Sequence, residues 1–163
     1  MWVVSSAGCL NRLPQIGDIS GESQVAGHED EIDIHDISWG VARPLVDATG
    51  STRTRASAKF EDLMVAHRID KSTPKLMEAC ASGKTFPEIT IALRKDSGDE
   101  HLDYLVITLT KATVTSYSLN GGGSEGPPAA MIGFNYDEVK VVYNIANPAG
   151  SVEMTWNVVE STP

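Results

Sequence analysis

The sequence predicts a mainly β, single-domain β-barrel of roughly eight strands, with bulged long strands and one short α-helix over about 73–82. Three observations carry this. Apolar side chains recur with a period of two through most of the chain, the pattern of strands with one covered face. Two of these runs slip phase midway, as long strands that bend around a barrel do. A single segment breaks the alternation with paired helix start and stop signals.

In chain order, the first strand is the least defined. Pro14 sits where it should be forming, which confines that stretch to an edge or a strand start. Ile32 and Ile34 then occupy even positions, and Ile37, Trp39 and Val41 odd ones, which places a bulge near His35-Asp36. Residues Asp47 to Ser57 carry Gly50, several Thr and Ser, and two arginines, with almost nothing to bury, and read as a loop. Ser72-Thr73-Pro74 opens the helix with a cap and a first-turn proline, and Gly83 closes it. Leu76, Met77 and Cys80 form its expected apolar stripe.

Ile89, Ile91 and Leu93 alternate, as do Leu105, Ile107 and Leu109, and threonine is dense from Thr108 to Thr115, which suits a pleated half-buried surface. Asn120 to Pro128, with Gly121-Gly122-Gly123, is a polar loop. Phe134 and Tyr136 are even while Val139, Val141, Tyr143 and Ile145 are odd, so a second bulge is expected near Asp137-Glu138. Val152, Met154, Trp156 and Val158 predict the last strand. Trp39 and Trp156 lie at alternating apolar positions and are read as core.

Composition narrows the function. At 163 residues and 41% hydrophobic, the chain can bury a core without disulfide or metal staples. A net charge of −9 with scattered Lys and Arg argues against nucleic acid and against an anionic membrane surface. No apolar run approaches the roughly 18 residues of a membrane-spanning helix, so no membrane insertion is expected. Ser6-Ala7-Gly8-Cys9 has the outline of a lipoprotein box, yet Met1-Trp2-Val3-Val4 supplies neither a basic start nor an apolar stretch before it. Export, if any, is expected without a cleavable signal peptide. Cys9 and Cys80 form no CxxC pair and suit a reducing compartment.

Chemistry-bearing residues cluster once, in His28-Glu29-Asp30-Glu31 followed by Asp33, His35 and Asp36. On a strand Glu31, Asp33 and His35 share a face. A metal site is conceivable there, but one strand rarely encloses an ion, and charges on a strand edge deter stray pairing. The second reading is preferred, so no metal and no cofactor are expected. His67 and His101 are isolated, no GxSxG elbow exists, and the glycine run lacks the Lys-Ser/Thr of a phosphate loop. No catalytic residues are assigned, and an enzyme is not expected.

Several stretches resemble the Hcp family, the tube proteins of type VI secretion. They are Ile19-Ser20-Gly21-Glu22-Ser23, Gly27-His28-Glu29-Asp30-Glu31-Ile32-Asp33-Ile34 and Ser38-Trp39-Gly40. Then follow Asp70-Lys71-Ser72-Thr73-Pro74-Lys75-Leu76-Met77, Ala79 to Gly83, and Tyr104 to Leu109. Weaker echoes run from Phe134 to Tyr143. The glycine-histidine-acidic run and the aspartate-lysine helix start, in this order, are specific. The resemblance covers about Ile16 to Val159 and implies a barrel domain over 12–160. Residues 1–11 do not match and read as an extension.

By this resemblance, subunits form hexameric rings that stack into a tube inside a contractile sheath beneath a spike protein. The tube is assembled in the cytoplasm and then ejected, and effectors travel in the lumen. Gly27, His28, Glu29, Asp30, Glu31, Trp39, Asp70 and Lys71 are then candidate assembly residues. Asp47, Thr49, Ser51, Thr52, Arg53, Thr54 and Arg55 correspond to a loop that reaches a neighbouring ring. The alternatives are a phage-like tail-tube protein and, from another class, a small-ligand-binding β-barrel. The latter needs a hollow interior, and the supply of Ile, Leu and Trp is sufficient to fill it.

Overall fold

A computed structural model describes residues 9–13, 16–24, 29–44, 57–97, 100–121, 128–145 and 150–162. The strands are β1 (Cys9–Leu13), β2 (Ile32–Ser38), β3 (Val41–Ala42), β4 (Lys59–Phe60) and β5 (Leu63–Arg68), followed by the helix α1 (Thr73–Ser82). Then come β6 (Thr85–Ser97), β7 (Glu100–Asn120), β8 (Ala129–Asn135), β9 (Glu138–Ile145) and β10 (Gly150–Asn157). The architecture is the expected mainly β plan with one helix. β1 begins at Cys9, so the boundary expected after residue 11 falls inside a strand. Pro14 lies outside the described residues.

Eight strands form one antiparallel sheet in the order β10-β9-β7-β6-β1-β2-β5-β8. The C-terminal half of β7 also pairs with β8, from Thr113↔Asn135 to Asn120↔Ala129. The pairings therefore run in a closed circuit, β7-β6-β1-β2-β5-β8 and back to β7. Closure removes the open edges from this part of the sheet. The N-terminal half of β7 instead carries β9, and β9 carries β10, so these two strands project from the barrel as an arm. The small β3–β4 hairpin stands apart.

Phe86, Phe134, Ile16, Ile32, Leu63, Leu76, Ile89, Ile91, Leu109 and Ile132 are the largest fully buried side chains. Burying each stabilises the fold by about 1.5–3 kcal/mol. Ile16 and Ile19 bridge each other across a turn and both enter this core. α1 lies against β7 and inserts Leu76 and Ala79. Met77, expected in the stripe, is exposed; its place is taken by Ala79, which lies on the same helical face as Leu76 while Met77 falls beside it. At the other end Gly83 adopts φ +64, and Lys84 N–H donates to the Ala79 carbonyl at 3.0 Å, the glycine-closed ending the sequence predicted.

His35 is the extra residue of a bulge, since Ile34 pairs with His67 and Asp36 with Ala66. Two further bulges carry no apolar signature: Tyr104 opposite Leu93-Arg94, and Thr115 opposite Gly133-Phe134. The interruption near Asp137 is not a bulge. Thr113↔Asn135 and Thr110↔Glu138 flank it with two residues on each strand, so the register is kept.

Candidate functional site

The signature residues meet at the start of α1. The Asp70 carboxylate turns back and its Oδ1 accepts both the Ser72 N–H, at 2.9 Å, and the Ser72 hydroxyl. Ser72 occupies the cap position but makes no side-chain cap bond; the Asp70 carboxylate instead holds this cap residue by its N–H and hydroxyl. Asp70 N–H donates to Thr73 Oγ1 at 3.2 Å, which closes the turn. Lys71 reaches in two directions, its N–H to Glu22 Oε1 at 3.2 Å and its ammonium to Asp30 Oδ1 at 2.7 Å. That bond to Asp30 holds the Lys71 ammonium above its ordinary pKa.

Behind these contacts two backbones cross. Gly21 N–H donates to the Asp30 carbonyl at 2.6 Å, Ser23 N–H to the Glu31 carbonyl at 3.0 Å, and Asp30 N–H to the Ser23 carbonyl at 3.0 Å. A side chain at Gly21 would collide with the Glu31 carbonyl and come within 2.7 Å of Ile32 Cα, so only glycine permits this approach. Asp30 itself adopts φ +63. The structure thus gathers Glu22, Asp30, Asp70 and Lys71, distant in sequence, onto one clasp that ties α1 to the segment before β2. Gly27 and His28 lie outside the described residues, as does the whole Asp47–Arg55 set and the 122–127 stretch of the glycine loop.

Trp39 belongs to a different group. Its ring lies 6.0 Å from Phe60 and 6.5 Å from Tyr136, and Phe60 lies 6.2 Å from Trp156. Trp39 Nε1–H donates to Tyr136 Oη at 2.5 Å, which donates on to the Glu61 carbonyl at 3.1 Å. Burial pushes the Tyr136 hydroxyl pKa up to about 12. Both tryptophans are half-buried and packed against the core rather than inside it. This aromatic group fills the corner between the β3–β4 hairpin and the root of the arm.

On β2 Asp33, like Glu31 just before the strand, alternates with the buried Ile32 and Ile34, and His35 Nε2 accepts a hydrogen bond from Arg68 Nε at 3.0 Å. Among the described residues no group of three His, Cys, Asp or Glu side chains converges on one point. The barrel interior is filled by the core residues named above.

The arm is the surface that sequence reasoning misassigned. Val152 was expected to face a core, as was Met154; they are 64% and 43% exposed. Tyr143 pairs with Val152 and is 50% exposed, and Ile145 near the tip is 37% exposed. The same face is covered at its root, where Val139 is buried opposite Trp156. Alternation marks which face is apolar but not what covers it. Here the core-facing side of the sheet runs past the barrel and out into solvent.

A closed, filled barrel bearing an exposed apolar sheet face and, among the described residues, an outer strand β10 paired on one side only defines a subunit of an assembly rather than a container. The sequence profile described as Type VI secretion system effector, Hcp, matches residues 14–143, and the chain belongs to that family. It is 36% identical over 149 residues to Protein hcp1 of Pseudomonas aeruginosa, spanning 88% of this chain and 92% of that one. A type VI secretion system effector from Yersinia pestis has a similar structure, with 28% identity, a TM-score of 0.75, and coverage of 91% of this chain and 99% of that one. Hcp1 from Salmonella typhimurium gives 25% identity and a TM-score of 0.79 over 94% and 97%. The chain is therefore a type VI secretion tube protein, of a family in which ring and tube assembly is typical and whose members the apparatus secretes. Among the described residues no helix is long and apolar enough to cross a membrane.

Proposed function

We propose that this chain forms hexameric rings in which the exposed apolar face of the β9–β10 arm packs against the next copy. The barrel, with β1 from Cys9 included, and its β9–β10 arm together act as the ring-forming unit. The rings assemble in the cytoplasm, stack within a contractile sheath below a spike protein, and leave the cell with effectors in the lumen. The role is structural, not catalytic. Arg53 and Arg55, with the Thr and Ser around them, make polar contacts between rings, and the Glu22–Asp30–Lys71–Asp70 clasp holds each subunit in its assembling shape.

One observation carries this reading: Tyr143, Ile145, Val152 and Met154 lie exposed on a single sheet face continuous with the core. Such a face is costly in water and gains about 25 cal/mol for each Å² covered. A glutamate at its centre would have to be buried unpaired. Met154→Glu and Val152→Glu are therefore expected to leave a folded monomer, with an unchanged circular dichroism spectrum, where the wild type gives rings. Native mass and negative-stain microscopy read the outcome. Unaltered rings from both variants would remove the arm from the interface.

A further inference from the structure

Three neighbouring strands change face at one level. On β6 the buried side chains step from Phe86 to Ile89, on β7 from Leu109 to Ala112, and along β8–β9 from Tyr136 to Val139. An uninterrupted strand places them two apart. Register is kept across the step itself, the bulges at Tyr104 and Thr115 lying to either side of it. Phe86↔Ala112 and Glu88↔Thr110 flank the unpaired Pro87 and Lys111, and the flanking pairs on the β8–β9 side are kept as well. A bulge in one strand would shift the register against its neighbours. Here all three turn together, and the sheet folds along a transverse crease.

Each strand supplies a residue suited to the turn. Pro87 has no N–H to pair across the ladder. Lys111, facing it, adopts φ +51, a left-handed conformation unfavourable for a side-chain-bearing residue. Asp137 N–H donates to the Thr110 carbonyl at 3.1 Å, and its own carbonyl accepts the Val158 N–H at 2.8 Å. The Lys111 ammonium lies 3.4 Å from the Asp137 carboxylate, but the pair is solvent-exposed and contributes little. Backbone conformation, not charge, makes the crease. On one side of it lies the end of the barrel closed by β8; on the other, β9 and β10 run out as the arm.

We propose that this crease, with Lys111 as its positioning residue, sets the angle between barrel and arm and thereby the rotation from one copy to the next. The proposal rests on the reading that the arm meets a second copy. A ring of identical subunits closes only if that rotation is fixed. A left-handed residue held between Pro87 and Asp137 fixes it without a flexible joint.

The test compares the full-length wild type with Lys111→Gly, Lys111→Val and Pro87→Val by thermal melting, native mass and negative-stain imaging. Glycine takes the left-handed conformation freely, so Lys111→Gly keeps wild-type rings. A β-branched residue resists it, and valine at 87 restores the N–H that lets β6 and β7 pair straight through. Both valine variants are expected to melt cooperatively yet lose rings of wild-type symmetry about tenfold or more, with open or differently numbered assemblies in their place. Wild-type rings from both overturn the proposal. So does failure of both to fold, because the crease then serves folding alone, and so does loss of rings in Lys111→Gly. If the wild type forms no rings, or Met154→Glu leaves them intact, the arm reading itself fails and takes the proposal with it.

Discussion

His67 shows how one side chain can tie stability to pH. It lies on β5 with no solvent exposure, its ring at 5.9 Å and nearly edge-on to Tyr117, and its Nε2 is 3.2 Å from Tyr117 Oη. Among the described residues its Nδ1 meets no partner within full hydrogen-bond geometry. Desolvation lowers its pKa from the ordinary 6.5, opposed by the backbone at Arg68 and by the charge of Asp70, with His35 acting in the same sense as burial. The native state therefore binds fewer protons than the unfolded chain below pH 6.5. Stability is fully present above that value and is lost as pH falls through the window beneath it. The melting temperature is expected to drop between about pH 7 and pH 5, and His67→Gln, which keeps a polar group for Tyr117 but does not titrate, should flatten that drop. An equal drop in the variant would assign it to other groups. From the sequence His67 read as an isolated histidine; its partner is 50 residues away, and no local pattern points to it.

At the scale of elements, α1 was the most legible feature, because proline and glycine act on the backbone they belong to. What the sequence could not apportion was the cap. Asp70, Ser72 and Thr73 all have oxygens suited to it, and the fold uses Asp70 for Ser72 and Thr73 for Asp70. Asp70→Ala should cost about 1 kcal/mol, in the usual range for a lost cap, seen as a lowered melting temperature. Lys71→Met should cost less, because its ion pair is open to water and screened by salt. A larger loss from Lys71→Met than from Asp70→Ala would make the clasp electrostatic rather than conformational. The phase slips were legible in the same partial way. At His35 the slip is a bulge in one strand, whereas at Asp137 an identical local pattern belongs to a crease shared by three strands. One strand read alone cannot distinguish an inserted residue from a concerted turn.

For the whole molecule, charge and apolar surface pull in opposite directions. Each copy carries a net charge of −9, so gathering copies into a ring accumulates like charge that opposes closure. The arm offers the compensating attraction through side chains that carry no charge. Salt then acts with one sign on the ring. It screens the repulsion, over about 10 Å at 0.1 M and about 3 Å at 1 M, and leaves apolar burial intact. The ring population, measured by sedimentation at fixed protein concentration, is expected to hold or rise as sodium chloride increases. Contacts between rings, proposed to run through Arg53 and Arg55, should respond in the other direction, because screening weakens an attraction that depends on cations meeting an acidic neighbour. Stacked rings should thus give way to single rings at high salt, and the same change should follow at low salt in Arg53→Glu with Arg55→Glu. Rings that dissociate to monomers as salt rises would show the opposite arrangement, a ring held by ion pairs, with the exposed apolar arm serving some other partner.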